Sequence, residues 1–287
     1  MPSSVLPALA LLLNALVWGV SWWPFRVLEG RGLHPLWSTA VIYVFALACL
    51  LVWRPGALRT LLTRPALWLL AGAAGITNVC FNWGVTQGDV VRVVLLFYLM
   101  PVWTALLAWP LLGERPTART GARVVLALAG VVVVLKTPGT PWPVPDSLAD
   151  WLGVAGGMSF SFTNILLRRL RGVPDAGRTL AMFAGGGATA AAVGSIAWAL
   201  GAVPAFPPLA GEWWLPALLL ALGFLAGNIA LQYGAARLPA NVTSLVMLSE
   251  VVFASGSAAM LGASALTLRV VAGGVMVLAA ALWSALE

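Results

Sequence analysis

Charge is what this sequence most lacks. Only 9% of its 287 residues are charged and 61% are hydrophobic, whereas soluble domains hold about 25% charged and 45–50% apolar side chains. Sixteen Lys and Arg with nine Asp and Glu cannot coat a soluble surface of this size. The same figures exclude disorder, which needs much charge and few apolar residues. Histidine occurs once, as His34, so multi-histidine metal sites and His-based triads lack their parts. Two cysteines are too few for a disulfide scaffold. Cys49 and Cys80 both fall inside apolar runs and read as buried thiols. Glycine and proline show no triplet period, which removes collagen. No Gly-rich phosphate loop of the Walker type is present, so ATP-driven work would need another chain. What remains is an all-α polytopic membrane protein.

The apolar residues are organised in runs long enough to cross a bilayer, about 20 residues each. Breaks of charge, Pro and Gly divide the chain into ten, at roughly 5–25, 35–53, 66–86, 91–112, 118–136, 150–167, 179–200, 213–235, 240–262 and 267–286. The first run carries no basic n-region and exceeds a signal h-region, so it is expected to be a retained helix. The longest irregular stretch is rich in proline (Pro138, Pro141, Pro143, Pro145) and reads as a linker over 137–149. It separates a five-helix unit at 1–136 from another at 150–287.

Orientation follows from the basic residues in the loops. Eleven, Arg54 to Arg64, Arg115 to Arg123, Arg168 to Arg178 and Arg237 among them, lie on the side of the N-terminus; five, Arg26, Arg31, Arg92, Lys136 and Arg269, lie on the other. Both termini are therefore expected in the cytoplasm. The net charge of +7 reflects these loops rather than a nucleic-acid surface.

The two units also repeat. A shift of 150 residues lays Asn78 on Asn228, Asn82 on Gln232, Gly84 on Gly234 and Trp103 on Phe253. Repeats of five helices must have opposite topologies, and inverted repeats are a building principle of secondary transporters.

Polar groups within the runs mark candidate functional positions, because hydrocarbon offers them no partners. Asn78 and Asn82 share one helical face, as do Asn228 and Gln232. Two readings stand for these amides: the lining of a central cavity, or interhelical hydrogen bonds worth about 0.6 kcal/mol each. Glu250 is the only acid deep inside a run, on a face shared with Thr243, Met247, Ala254 and Ser257. Its carboxyl needs a partner, water or a proton. Asn14, Trp18, Ser21 and Phe25 line one face of the first run, which Pro24 interrupts. Tyr43, Tyr98, Trp103 and Ser161 complete the candidate cavity set. Aromatic walls with a few amides suit a ligand that has a flat apolar body and a polar head. Pro101 and Pro110 are expected to kink the fourth run.

Several short motifs resemble the drug/metabolite transporter superfamily, in particular its ten-helix EamA-type exporters. They are Trp18-Gly19-Val20-Ser21, Pro101-Val102, Leu111-Leu112-Gly113-Glu114-Arg115, Leu238-Pro239-Ala240 and Glu250-Val251-Val252-Phe253. Val251 stands where the family has proline, and Gly262 is followed by Ala263 rather than Glu. The Trp-rich character is similar to the bacterial aromatic amino-acid exporters. The resemblance implies export of amino acids from the bacterial cytoplasm across the inner membrane by alternating access, with no cofactor and no nucleic-acid partner. The alternative cargo is a cationic drug or a nucleotide-sugar-like metabolite. An intramembrane enzyme or lipid scramblase stands further off, since an enzyme would cluster several ionisable groups at one depth.

Overall fold

The computed structural model describes all residues except 1–4, 114–116, 137–143, 209–210, 236, 239 and 286–287. Among the described residues the chain is helical throughout, with no strand. In order the helices are α1 (Val5–Val20), α2 (Trp22–Gly30), α3 (Pro35–Trp53), α4 (Gly56–Thr63), α5 (Ala66–Gln87), α6 (Val90–Phe97), α7 (Met100–Leu112), α8 (Ala118–Leu135), α9 (Leu148–Arg169), α10 (Asp175–Ala199), α11 (Trp214–Ala235), α12 (Ala240–Met247), α13 (Ser249–Met260) and α14 (Leu268–Ala285).

Local chemistry explains the ends. His34 precedes Pro35, and its Nδ1 accepts from the Leu36 amide at 3.3 Å, pairing a proline first turn with a side-chain cap. Asp89 caps α6 through the Arg92 amide at 2.9 Å, and Ser147 caps α9 through the Asp150 amide at 3.1 Å. Gly113 closes α7 with φ 74°, the left-handed stop that favours glycine.

Seven helical segments are long and apolar enough to span a bilayer: Val5–Gly30, Pro35–Trp53, Ala66–Gln87, Val90–Leu111, Ala118–Leu135, Asp175–Ala199 and Trp214–Ala235. Three of the ten runs in the sequence fall outside this set for physical reasons. The sixth, α9, carries Ser159, Ser161, Thr163 and Asn164 along its length. The ninth, divided at Leu248 into α12 and α13, carries Thr243, Ser249, Glu250 and Ser255. The tenth, at Leu268–Trp283, is a shorter apolar helix. Two of the expected interruptions appear as helix breaks, at Ser21, three residues before Pro24, and at Tyr98–Leu99, just before Pro101, whereas α7 runs unbroken through Pro110.

The helices pack around a shared interior. α5 lies between α9 and α10, α1 lies against α11 and α13, α3 touches α10 and α11, α6 and α7 rest on α9, and α8 pairs with α14. Small residues permit the closest crossings: at α8–α14 a Cβ on Gly130 would stand 2.7 Å from the Gly273 carbonyl oxygen, and one on Gly273 2.6 Å from that of Gly130. Close backbone approach of this kind is how small residues join membrane helices. Cys80 is buried as expected, but Cys49 is exposed on the outer face of α3, where an apolar run meets lipid rather than protein. The Glu114-Arg115 motif and most of the 137–149 linker lie outside the described residues.

Candidate functional site

The interior encloses a cavity of about 530 Å³, within the range of small-molecule sites. Eight of the candidate cavity residues line it: Asn14, Trp18, Tyr43, Asn78, Tyr98, Asn228, Met247 and Glu250. The helix breaks place two of these. Tyr98 stands in the break between α6 and α7, and Glu250 in the first turn of α13, just past the break at Leu248. Tyr98 and Glu250 stand near each other in the cavity wall, the phenol beside the carboxyl. Asn14 donates from Nδ2 to the Met247 thioether at 3.5 Å. Tyr43 donates to Asn78 Oδ1, and Asn78 Nδ2 donates to the Ala74 carbonyl at 2.7 Å.

Aromatic rings build the rest of the wall. Trp18 lies 4.5 Å from Phe224 and 6.1 Å from Phe81, which sits edge-on to Phe97 at 4.9 Å; Phe97 in turn meets Phe160 at 5.5 Å. Tyr43 joins this chain through Phe224 at 6.2 Å and also meets Phe183 at 5.6 Å. Among the lining residues Glu250 is the single carboxylic acid, and no Lys, Arg or His is present. Thr104 and Asn164, toward the side that carries the N-terminus, are exposed, so the cavity runs from mid-helix depth toward that side.

The opposite side is closed. Trp22 Nε1 donates to Ser257 Oγ at 2.9 Å, joining α2 to α13. Arg26 donates to the Gly88 carbonyl at 2.6 Å and the Val85 carbonyl at 3.3 Å, with its guanidinium 5.2 Å over the Trp22 ring. Gln87 donates to Glu29 at 2.7 Å. Arg92 holds Asp150 with two hydrogen bonds, at 2.6 and 2.7 Å, and Asp146 at 3.0 Å, tying α6 to α9.

Five candidates lie elsewhere. Ser21 is buried and donates to the Trp18 carbonyl at 2.7 Å. Asn82, fully buried, reaches Thr39 Oγ1 at 3.2 Å, one turn beyond the end of the cavity. Trp103 packs beside the core formed by α6, α8 and α13, and its Nε1 has no partner. Ser161 donates to carbonyls of Met100 and Gly157. Gln232 bridges Thr179 and Asn228, at 2.6 and 2.8 Å. The Thr243–Ser257 stripe is likewise divided: Thr243, Met247 and Glu250 line the cavity, whereas Ser257 serves the closure with Trp22.

Sequence reasoning missed Asn164, Thr77, Thr104, Thr163 and the phenylalanines. Asn164 had a readable signal, because the 150-residue shift lays it on Asn14. The phenylalanines had none, since apolar rings are common throughout the chain.

The model of the EamA-like transporter family matches residues 5–136, a stretch that ends where the proline-rich segment begins. A solved crystal structure of a protein is similar along nearly the whole chain, with TM-score 0.60, 20% identity, and coverage of 98% of this chain and 96% of that one. That likeness establishes a shared fold. Among curated proteins, none matches the chain. Together, the match over residues 5–136 and the seven apolar helices support a multi-pass membrane protein whose first half is similar to the EamA-like transporter family.

Proposed function

We propose that the chain is a secondary transporter that exports amino acids, aromatic ones included, across the bacterial inner membrane by alternating access of one central cavity. The observation that carries this reading is the cavity itself: aromatic walls for a flat apolar body, with Glu250 and Tyr98 as the polar station for an amine. The substrate-binding set is Asn14, Trp18, Tyr43, Asn78, Tyr98, Asn228, Met247 and Glu250.

Two inverted five-helix repeats, 1–136 and 150–287, supply the moving parts. The helix contacts support this. Exchanging each helix for its counterpart in the other half turns the α5–α10 contact into α11–α3, α5–α9 into α11–α1, and α9 with α6–α7 into α1 with α12–α13; α8–α14 maps onto itself. The breaks at Tyr98 and Leu248 also stand 150 residues apart. Rocking of such repeats exposes a midplane site to each side in turn. With the Arg-rich loops and both termini in the cytoplasm, the cavity faces the cytoplasm, and the Trp22–Ser257 and Arg26 contacts seal the far side.

Purified protein in liposomes, offered labelled Trp, Phe, Thr and Met, tests the cargo. The proposal expects protein-dependent movement of Trp and Phe above empty liposomes. Movement of none of the four would overturn it.

A further inference from the structure

Among the buried polar side chains that line the cavity, those on α5 and α9 find partners, whereas atoms on α1 and α12 are left open. On α5, Asn78 uses both ends of its amide, and the Thr77 hydroxyl donates to the Ala73 carbonyl at 3.0 Å. On α9, Thr163 donates to the Ser159 carbonyl at 2.9 Å. The facing seam of α1 and α12 differs. Asn14 is only 1% exposed, and its one partner is the Met247 sulfur, a weak acceptor. Its Oδ1 has none, nor does the buried Thr243 Oγ1, one turn before Met247 on α12. Both residues line the cavity, as does Glu250, about one turn past Met247. Turning the Asn14 amide over leaves its other end open instead, since the thioether engages one end only. Buried polar atoms without partners are uncommon and call for a ligand or water.

We propose that Asn14 and Thr243 are specificity-determining residues of the transport site: they receive the N–H donors of an amine-bearing cargo beside Glu250, fixing its head on the α1–α12–α13 wall and its ring against Phe81, Phe97 and Phe160. This rests on the transporter reading above and gives it a chemical order of preference. Among the described residues no cationic side chain lines the cavity, so a cargo carboxylate loses its water without gaining an ion pair. An aromatic amine ranks first, its amino acid second, and the deaminated acid last.

The test measures binding of labelled tryptamine to the full chain by scintillation proximity, with tryptophan and indole-3-propionate as competitors. Wild type should favour tryptamine over tryptophan about tenfold and over indole-3-propionate about a hundredfold, the first tenfold being the cost of desolvating the carboxylate and the second the lost charge-assisted contact of the amine. Asn14→Leu should weaken tryptamine about tenfold and Thr243→Val about threefold, as expected for single lost hydrogen bonds. Asn14→Ser keeps an oxygen acceptor, is smaller than the native residue, and should fall between; with Thr243→Val it carries the test if Asn14→Leu does not fold. Unchanged tryptamine affinity in the folded variants, or equal binding of the deaminated acid, overturns the assignment while the transporter reading stands. Wild type that binds none of the three compounds overturns the cargo reading, and the assignment with it.

Discussion

Three consecutive glycines in α10 offer a graded test of the packing that shapes the cavity. A Cβ on Gly185 would fall on the backbone of Ala71 in α5; one on Gly186 would stand 2.6 Å from Cε1 of Tyr43; one on Gly187 would lie 3.5 Å from Tyr43 Cβ, an ordinary contact. Any Gly→Ala change within a helix gains up to about 1 kcal/mol of propensity. At Gly187 nothing opposes that gain, so the variant should be neutral or more stable by up to about 1 kcal/mol. At Gly186 the tyrosine must move. Overpacking of about 1–3 kcal/mol, plus about 0.5–1.5 kcal/mol for the strained Tyr43–Asn78 hydrogen bond, outweighs the gain. At Gly185 the obstacle is a backbone that no rotamer change relieves, so the cost is about 3 kcal/mol or more. Thermal unfolding in detergent, followed by tryptophan fluorescence, should rank Tm as Gly187→Ala, then Gly186→Ala, then Gly185→Ala, separated by about 2–4 °C per kcal/mol. Gly186→Ala should also weaken cargo binding, because Tyr43 lines the cavity. Equal shifts at the three positions, or Gly187→Ala as the worst, would refute the helix register on which the cavity rests.

Three further outcomes follow from single side chains. Glu250→Gln keeps the shape and removes the charge, so liposome uptake of an amine-bearing cargo should fall about tenfold or more and lose its pH dependence; unchanged rate and pH profile would remove the carboxyl from transport. Asn82→Leu should lower Tm through loss of its bond to Thr39 while sparing cargo affinity, and a variant of native stability with impaired binding would return Asn82 to the cavity. His34 caps α3 through an unprotonated Nδ1, and burial holds its pKa below the usual 6.5. The neutral form therefore stabilises the fold at and above that value, and this stability is lost as pH falls through the lowered folded pKa. Tm should drop between about pH 7 and pH 5, and a His34→Asn variant with the same slope would contradict the assignment.

Much of the architecture was legible because bilayer physics is written in coarse patterns. Charge-free runs and a proline just after each of two breaks survive translation into helices. The break at Leu248 was not legible, because no proline stands at Val251 to announce it, yet the chain breaks there as its counterpart does at Tyr98. Within the site, helical periodicity located the face but not its depth. Asn78 and Asn82 share that face, but the cavity ends between them, leaving one beside Tyr43 and the other against Thr39. Likewise Glu250 and Ser257 occupy one stripe but serve the cavity and its far seal. Trp103 was singled out as an aromatic wall residue, whereas its ring packs beside the core and away from the cavity lining. Phe81, Phe97 and Phe160 were invisible as a group, since their adjacency depends on α5, α6 and α9 meeting, which no local pattern encodes.

Alternating access of one cavity is the central claim, and solute counterflow tests it most directly. Liposomes carrying the protein are loaded with unlabelled tryptophan, diluted into labelled tryptophan, and followed over time beside empty liposomes and the Glu250→Gln variant. The account predicts a transient overshoot of label inside, because a carrier exchanges cargo from one side at a time, and a smaller overshoot in the variant. Label that rises monotonically to equilibrium, or no faster than in empty liposomes, would contradict it.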